Sequence, residues 1–440
     1  MKNLSSFVVL IFIIVSFFFP ITIDGGRSNI AVFEILGVDL GIIDILTVLT
    51  ILVFMVDPFK KIRINEISYN HIILSLVCFL LVIVISIFIG IFHGNGIQAV
   101  GNDLRNFFAL FLFFPILLFF NTMDFLKIEK LIFTLCLISC VFILLFISLF
   151  PALAITGGLV NSGNDHGRLL ILNLFPILIF ISSYLISHTL FSSVNKATIF
   201  IFVVTITVYA ALSFLFGYRS IFVVLVAQIL SGFLFFNKIK KKRIILFFIA
   251  ASLLFVIIKT NTEFSRKIYE SELFERISSS YSFLTKGRSY VNQSESLITR
   301  SVTYGNLFNQ FMKSPFYGYG VGSEFYVYNS QDIGVKKSLN IDSGYFYLLL
   351  KFGLIGFGTF FLFIYKCFKI TINEGFVSRG KNTFYIFIFY AIGLLVLCLV
   401  ESSMMRMSVN WIILLAWVSC LMRLSKENIK RLKINENTNC

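Results

Sequence analysis

The sequence predicts an all-α, polytopic integral membrane protein with about twelve transmembrane helices and one large external loop that contains short helices. Two observations predict this class. First, 58% of the 440 residues are hydrophobic and only 13% are charged, whereas soluble domains are roughly half apolar and a quarter charged. Second, apolar stretches of about 18 residues or more, the length that a helix needs to cross a bilayer, recur along the chain, and Phe alone contributes 55 residues.

Twelve apolar stretches follow one another, and each is expected to form one spanning helix. Their predicted bounds are 5–23, 38–56, 71–92, 106–120, 128–150, 169–187, 197–216, 220–236, 244–258, 344–365, 383–400 and 408–422. The first stretch ends without a small-residue cleavage site, so we interpret it as a helix and not as a cleaved signal peptide. The stretch 106–120 is short for a span, and the sides assigned to the other spans depend on it.

The lysines and arginines of the short connections orient these spans. With the N-terminus in the cytoplasm, the inner connections hold more than half of the 37 basic residues, as the positive-inside rule requires. An even number of spans then places both termini in the cytoplasm. Topology and anionic headgroups therefore account for the net charge of +15, and no nucleic-acid partner is expected.

The basic residues of the short outer connections are all arginines. They are Arg27, Arg105, Arg168, Arg219 and Arg406. A guanidinium binds phosphate in a bidentate manner, but it also extends to lipid headgroups, and both explanations stay open.

The chain divides into three predicted parts: transmembrane helices 1–9 in residues 1–258, an external loop over 259–343, and transmembrane helices 10–12 with a cytoplasmic tail over 344–440. In the loop, we expect a short helix over 263–277 and an amphipathic helix over 295–312.

On the second loop helix Arg300 and Tyr304 are one turn apart and so share a face. Pro315 and three glycines then end the helix, within the sequence SPFYGYGVG. This segment is either a turn or a place where backbone N–H groups approach a phosphate. Further on, the glycines of KFGLIGFG, at 353, 356 and 358, are expected to permit close helix packing.

No cofactor and no metal ion are expected. The seven cysteines lie in or beside apolar stretches or at the C-terminus, where they are typical small hydrophobic residues. The outer loops carry no Asp-x-Asp motif and no paired carboxylates at the spacing of metal ligands. The loop sequence NSGNDHGR groups Asp165, His166 and Arg168, in which His166 is either a base or an ordinary loop residue.

Three motifs in order resemble the signature of the bacterial O-antigen ligase and polymerase superfamily. FGYRSIFVVL places Arg219 and Ser220 at the outer end of a span, Arg300 follows on the loop helix, and SPFYGYGVG and IDSGYFYLLLKFGLIG come after it. The resemblance covers about residues 150–365. Ligases of this superfamily usually carry His-Asn where this chain has Asp342-Ser343, and this departure favours a polymerase.

The resemblance implies glycosyl transfer on the outer face of the bacterial inner membrane, as in lipopolysaccharide and related polysaccharide biosynthesis. A glycan on undecaprenyl diphosphate would pass to the terminal sugar of another lipid-linked repeat unit. Membrane lipids, a chain-length regulator and a flippase are the further partners that such a polymerase implies. The sugars and the linkage are not specified by the sequence.

This reaction needs positive charge at the departing diphosphate and a base for the attacking hydroxyl. Arg219 and Arg300 are expected to supply the charge, against the alternatives of a headgroup contact and a solvated helix face. Asp342 is the candidate base, with capping of the next helix as an equal alternative, and His166 is a second candidate. The expected substrate-binding residues are Arg168, Tyr304, Asp165, Tyr218 and Ser220.

Two other functions fit a Phe-rich, cationic chain with twelve spans. One is the ligase that moves finished glycan to the lipid A core, and the other is a flippase or transporter of lipid-linked oligosaccharides. Transporters commonly show an internal repeat of matched halves, which this sequence lacks, so the enzyme is favoured.

Overall fold

The computed structural model describes residues 2–18, 31–35, 38–56, 70–149, 161–163, 168–170, 174–191, 219–235, 295–329, 334–338, 341, 343–374, 381–399 and 408–438. Helices dominate these residues. They are α1 (Lys2–Phe18), α2 (Ile42–Val56), α3 (Asn70–Phe92), α4 (Ile97–Leu104), α5 (Phe108–Phe111), α6 (Phe113–Asn121), α7 (Phe125–Leu149), α8 (Leu174–Phe191), α9 (Arg219–Phe235), α10 (Glu295–Phe311), α11 (Gly344–Glu374), α12 (Lys381–Leu397) and α13 (Ser408–Thr438). A short 3₁₀ helix, Arg105–Phe107, joins α4 to α5.

Strands occur only as hairpins in the described connections, and the sequence did not predict them. Each hairpin is a pair of antiparallel strands: β1 (Ala31–Ile35) with β2 (Val38–Gly41), β3 (Asn161–Gly163) with β4 (Arg168–Leu170), and β5 (Phe325–Asn329) with β6 (Gly334–Ser338). The register of the last pair joins Phe325 to Ser338 and Asn329 to Gly334.

The predicted helices over 71–92, 128–150 and 295–312 are confirmed by α3, α7 and α10. The predicted spans 197–216 and 244–258 and the loop helix 263–277 lie outside the described residues. Among the described helices, two are long and apolar enough to cross a membrane by length and composition, His71–Phe92 and Gly344–Asn373, and several shorter helices are also apolar.

Helix α13 lies at the centre of the helical core. Its residues 408–422 are all buried, including Trp411 and Trp417. A helix that is apolar and buried all round is typical of a core position. Trp417 also donates a 2.9 Å hydrogen bond from its indole to the Thr371 hydroxyl of α11, which satisfies the buried N–H group.

A buried amide joins three further helices. Gln228 of α9 is fully buried; its Nε2 donates to the Ser183 hydroxyl of α8 at 2.9 Å and to the Phe389 carbonyl of α12 at 3.1 Å. Its Oε1 accepts from the Ser182 hydroxyl at 2.7 Å. Because an unpaired amide would be costly in an apolar interior, this residue specifies how α8, α9 and α12 pack.

The short predicted span over 106–120 is a series of short helices that runs alongside α13. Phe107 packs near Trp411 with ring centroids 6.2 Å apart, and Arg423 donates to the Met123 carbonyl at 2.6 Å. From Trp411 to Arg423 α13 rises about 18 Å. The segment therefore passes along much of the bundle, from the neighbourhood of Trp411 to that of Arg423.

The interruption at Leu112 has a local cause. Helix α5 ends at Phe111 and α6 begins at Phe113, while Leu112 has φ −88° and ψ 16°. Pro115 lacks an N–H group, and its ring would clash with the carbonyl group of Phe111 in a continuous helix. The chain therefore breaks there, and the predicted span forms two helices, α5 and α6, instead of one.

Polar contacts define one end of the bundle, which we call the Asp124 end. Asp124, just before α7, pairs with Arg423 of α13 at 2.5 Å. One turn into α7, Glu129 accepts from the Thr383 hydroxyl of α12 at 2.5 Å and contacts His188 of α8 at 2.9 Å. The starts of α7 and α12 and the end of α8 therefore lie together.

The opposite end, which we call the Asp103 end, carries α4 and the start of α11. Helices α3 and α11 are antiparallel neighbours between the two ends: Lys366 Nζ donates to the His71 carbonyl at 3.2 Å, and the Ser86 hydroxyl donates to the Lys351 carbonyl at 3.1 Å. The loop between α10 and β5 packs against this end.

Candidate active site

For most of the predicted site residues, the structure describes only the backbone or does not describe the residue at all. Arg219 and Ser220 begin α9, Arg300 lies in α10, and Arg168 begins β4 opposite Gly163, but their side chains are outside the described part. Asp165, His166, Tyr218 and Asp342 also lie outside the described residues. Tyr304 is the one predicted site residue whose side chain is described.

Tyr304 joins the loop helix to the start of α11. It is half-buried and stacks on Phe346, with ring centroids 5.3 Å apart. Arg300 lies one turn before Tyr304 on α10, and Asp342 lies four residues before Phe346. The packing thus brings together the two segments that carry Arg300 and Asp342.

A small separate core supports this contact. Its buried members are Leu307, Phe311, Phe325, Ile341 and Leu350. They come from α10, from β5, from the residue before Asp342 and from α11. This core holds the loop helix against α11 independently of the main bundle core.

The residues on both sides of Asp342 are anchored. Ile341 is buried in the small core, and the Ser343 hydroxyl and the Gly344 N–H group both donate to the carbonyl of Cys398, just after α12, at 3.4 and 2.8 Å. The Ser343 carbonyl accepts from the Tyr347 N–H group at 2.9 Å, as the first bond of α11. Ser343 therefore occupies the N-cap position that the sequence suggested for Asp342.

The glycine-rich loop docks into a break in α11. The break is at Gly353, whose φ is 64° and ψ is −169°. The N–H groups of Leu354 and Ile355 donate to the carbonyls of Pro315 and Phe316, at 2.8 and 3.3 Å. The loop thus supplies the acceptors that the interrupted helix lost, as neighbouring segments do for broken membrane helices.

The amides of the loop are used within the protein. Those of Tyr319 and Gly320 donate to the Leu350 and Lys351 carbonyls, at 2.8 and 3.1 Å, and that of Gly318 donates to the Ser314 carbonyl at 3.1 Å.

The next two amides continue the pattern. Val321 donates to the Ser86 carbonyl at 3.1 Å, and Gly322 donates to Asp103 Oδ2 at 2.9 Å. The N–H groups of residues 318–322 are therefore all occupied within the protein, so these five amides are not available to a phosphate.

The three loop glycines have positive φ, from 69° to 86°, which favours glycine. At Gly320 a Cβ atom would overlap the backbone of Gly90 in α3, and at Gly318 it would lie 2.7 Å from the Lys351 carbonyl oxygen. The glycines are thus needed for close approach. Beside them, Tyr319 donates its hydroxyl to the Gln310 carbonyl at 2.7 Å, and burial raises the pKa of Tyr319 above its ordinary value, so the hydroxyl keeps its proton.

A buried ion pair fixes the end of this loop. Lys351 and Asp103 are buried, and Nζ lies 2.5 Å from Oδ2. The Tyr347 hydroxyl donates to the other carboxylate oxygen at 2.7 Å, and Lys351 also donates to the Ser323 carbonyl at 2.9 Å. Because a buried charge needs a partner, this network ties α4, α11 and the loop together.

This network was not predicted, although the sequence carries a signal for it. Lys351 interrupts the apolar stretch YLLLKFGLIG, and an ionisable residue in a spanning stretch is expected to have a buried partner. The pattern does not reveal which acid is the partner, because Asp103 lies 248 positions away in the chain.

Arg105 is the one outer arginine whose side chain is described, and it is paired within the protein. It is 2% exposed, lies 3.3 Å from Asp44 of α2 and donates to the Asn102 side chain at 3.2 Å. Arg105 therefore fits neither alternative for the outer arginines, phosphate binding or contact with lipid headgroups. Its role is to join α2 to the Asp103 end.

The described residues contain no group of three or more His, Cys, Asp or Glu side chains that could hold a metal ion. The described cysteines are free; five are buried and Cys78 is partly buried. Their expected role as small hydrophobic residues agrees with these positions.

A family model described as O-antigen ligase matches residues 199–361. This span includes α9, α10, the glycine-rich loop and the first half of α11, and so it contains Arg219, Arg300 and Asp342. Its members are membrane-embedded, glycosyltransferase-like enzymes that act on lipid-linked oligosaccharides. This match confirms that residues 199–361 resemble the O-antigen ligase and polymerase superfamily. No curated protein matches it.

Proposed function

We propose that this chain is a polysaccharide polymerase of the O-antigen type. It transfers a growing glycan from undecaprenyl diphosphate onto a lipid-linked repeat unit at the outer face of the bacterial inner membrane. The observation that carries the proposal is the packing of α10 on the start of α11, through Tyr304 and Phe346. It supports a single site that contains Arg300 and Asp342.

In the proposed reaction, a sugar hydroxyl of the acceptor attacks the anomeric carbon of the donor glycan. The bond between that carbon and the diphosphate oxygen breaks, and undecaprenyl diphosphate leaves with the electron pair. Arg219 and Arg300 stabilise the charge that develops on the diphosphate, and they take the part of a divalent cation. The hydroxyl proton passes to the Asp342 carboxylate.

The position of Ser343 supports the assignment of Asp342 as the base. Because Ser343 occupies the N-cap position of α11, the backbone does not need Asp342 as a cap. Ile341 and Ser343, the residues on either side of Asp342 in the sequence, are both anchored. Preorganised placement of this kind is what a general base requires. His166 is the second candidate for the base.

Arg168, Asp165, Tyr218, Ser220 and Tyr304 are the proposed substrate-binding residues. Tyr304 is half-buried against Phe346, one turn after Arg300 on α10. An aromatic ring in such a place suits the apolar face of a sugar.

A ligase of the same superfamily is the second candidate, since the matching family model carries the ligase description. Asp342-Ser343 in place of His-Asn favours the polymerase. The comparisons lend no support to a flippase.

The geometry supports the proposed orientation, with both termini in the cytoplasm. The exposed Lys127 and Lys130 lie near the Asp124 end, which the positive-inside rule assigns to the cytoplasm. The docked loop lies at the opposite end, which would be periplasmic. The segment 105–123 connects the two ends, as the twelve-span arrangement needs.

Deletion of the gene tests the proposal. We expect the surface lipid of the deletion strain to carry a single repeat unit, and the long-chain ladder to return on complementation. A surface lipid without any repeat unit would identify a ligase instead, and an unchanged ladder would contradict both enzymes.

A further inference from the structure

We infer that the C-terminal half of α10 and the loop after it form an interfacial surface that inserts among the acyl chains of the outer leaflet. This surface consists of four exposed apolar side chains: Phe308, Met312, Phe316 and Tyr317. They are 53%, 59%, 61% and 62% exposed, although the residues lie in a part of the chain that the hydropathy pattern places outside the spans.

The faces of α10 separate by chemistry. One face packs on the protein through Thr303, Leu307 and Phe311, which are buried. Next to it, Phe308 and Met312 are one turn apart and exposed. On the adjoining strip, Asn309 and Lys313 are also one turn apart and exposed. A helix with buried, apolar and polar strips side by side is typical of helices that lie in the membrane interface.

The interfacial surface continues onto the helix that the loop interrupts. Pro315 and Phe316 accept hydrogen bonds from the N–H groups of Leu354 and Ile355, and the side chains of Leu354 and Ile355 are themselves exposed. Phe316 therefore lies beside Leu354 and Ile355 on one stretch of surface. Helix α11 and its neighbour α3 are the two described helices that are long and apolar enough to cross a membrane.

The depth of the loop fits the outer leaflet. The predicted span in α11 ends at residue 365, next to Lys366, which contacts the start of α3. From there to the break at Gly353 the helix rises about 18 Å, which is more than half of the hydrocarbon thickness of about 30 Å. The loop therefore docks in the outer half of the hydrocarbon region, and aromatic side chains such as Phe316 and Tyr317 suit the approach to its interface.

Lipid acyl chains are the occupant that this arrangement favours over a second protein. The surface is continuous with the apolar exteriors of α3 and α11, and α3 carries exposed apolar residues along its length, ending with Phe92. In a membrane-embedded chain these exteriors already meet lipid. If the proposed function holds, the insertion also keeps Arg300 at headgroup depth, where the diphosphate of a lipid-linked donor would lie.

Tryptophan fluorescence of the full chain in lipid vesicles tests the inference. The native Trp411 and Trp417 are at most 1% exposed and give a constant background. Single variants Phe308→Trp and Met312→Trp report on the interfacial surface, and Asn309→Trp and Lys313→Trp are matched controls from the polar strip. Vesicles of phosphatidylethanolamine and phosphatidylglycerol carry bromine on their acyl chains.

We expect bromine to quench positions 308 and 312 severalfold more strongly than 309 and 313, and aqueous iodide to show the reverse order. Iodide quenching at 308 and 312 would overturn the inference, because the surface would then face water. Protection of both positions from both quenchers would also overturn it, since protein would cover the surface. Because the assay needs no turnover, its failure is distinguishable from a failure of the proposed polymerase function.

Discussion

At the scale of single residues, the Asp103 carboxylate connects three segments of the candidate site. Its two oxygens receive Lys351, Tyr347 and the Gly322 amide, and so it joins α4, α11 and the loop. None of these groups is assigned a chemical step. Their contribution is to hold the loop, and through it α10, in one position.

We predict that Lys351→Met destabilises the protein by about 3–5 kcal/mol, because it leaves the buried Asp103 carboxylate without its counter-charge. The buried cysteines make thermal unfolding measurable with a thiol-reactive dye in detergent. The double variant Asp103→Asn/Lys351→Met should recover much of this stability, since the Asn oxygen can accept from the Gly322 amide while its NH2 group donates to the Tyr347 hydroxyl. A wild-type melting temperature for Lys351→Met would mean that the pair does not hold the loop.

We predict that Arg219→Ala and Arg300→Ala each abolish chain elongation while the protein stays in the membrane, because each removes a cation aimed at the diphosphate. Loss of one such donor costs about 10²- to 10³-fold in rate. The ladder of surface polysaccharide and an immunoblot of membranes are the measurements. Lys313→Ala, which removes an exposed cation beyond α10, is the matched control and should leave the ladder unchanged. Long-chain polysaccharide in either arginine variant would remove that arginine from the site.

We predict that Asp342→Asn lowers the elongation rate by about 10²- to 10⁴-fold, the contribution of a general base, without lowering thermal stability. The side-chain volume is kept and the N-cap position belongs to Ser343. Ser343→Ala is the control for local structure and should retain elongation. Normal elongation by Asp342→Asn would transfer the base to another residue, of which His166 is the next candidate.

The residue types of the candidate site were readable from the sequence, whereas their supports were not. The Arg-Ser pair at 219–220 and Arg300 could be found because each lies in a short motif and the motifs follow one another along the chain. The partner of Lys351 is determined by tertiary packing of α4 against α11, and no local pattern encodes it. The sequence also does not distinguish Arg105 from the other outer arginines. Only the structure shows that Arg105 pairs with Asp44.

At the scale of elements, the loop of residues 314–323 and the break in α11 complete each other. The loop glycines allow the backbones to approach, and each segment supplies hydrogen-bond partners that the other lacks. The break at Gly353 is therefore a docking point and not only a flexible joint. The sequence predicted close helix packing at three glycines, and only Gly356 faces a neighbouring helix, at Val82 of α3; Gly353 contacts the loop, and Gly358 has open space beside it.

We predict that Gly353→Ala destabilises the protein by more than about 1–2 kcal/mol, since its φ of 64° is unfavourable for an L-residue and a Cβ atom would overlap the Phe316 carbonyl. Gly358→Ala on the same helix is the control, because a Cβ atom added there would meet no other atom within 4 Å. That change should leave stability equal or slightly higher. Equal melting temperatures for the two variants would contradict the docking role.

The helices α3, α7 and α10 were predictable because each is one long periodic or apolar stretch. The interruption around Leu112 was not, because it depends on how Pro115 is accommodated between α5 and α6. The hairpins were also missed, since short strands in connections have no periodicity long enough to detect.

At the scale of the whole molecule, the two ends of the bundle have different contents. The Asp124 end holds Glu129, His188 and Thr383 in one cluster, and the Asp103 end holds the docked loop and the α10–α11 contact. The opposite placement of these groups agrees with the alternation of spans that the hydropathy pattern predicts. The proposed site therefore lies at one end, beside the surface that we infer to enter the outer leaflet.

Reconstitution tests the central claim, polymerisation, most directly. The purified full chain in vesicles would receive only undecaprenyl-diphosphate-linked repeat units, with Arg300→Ala as the matched control. We predict a ladder of lengthened lipid-linked glycans and release of undecaprenyl diphosphate from the native chain, and neither product from the variant. Glycan transfer that occurs only when lipid A core is added, with no ladder in its absence, would contradict the account.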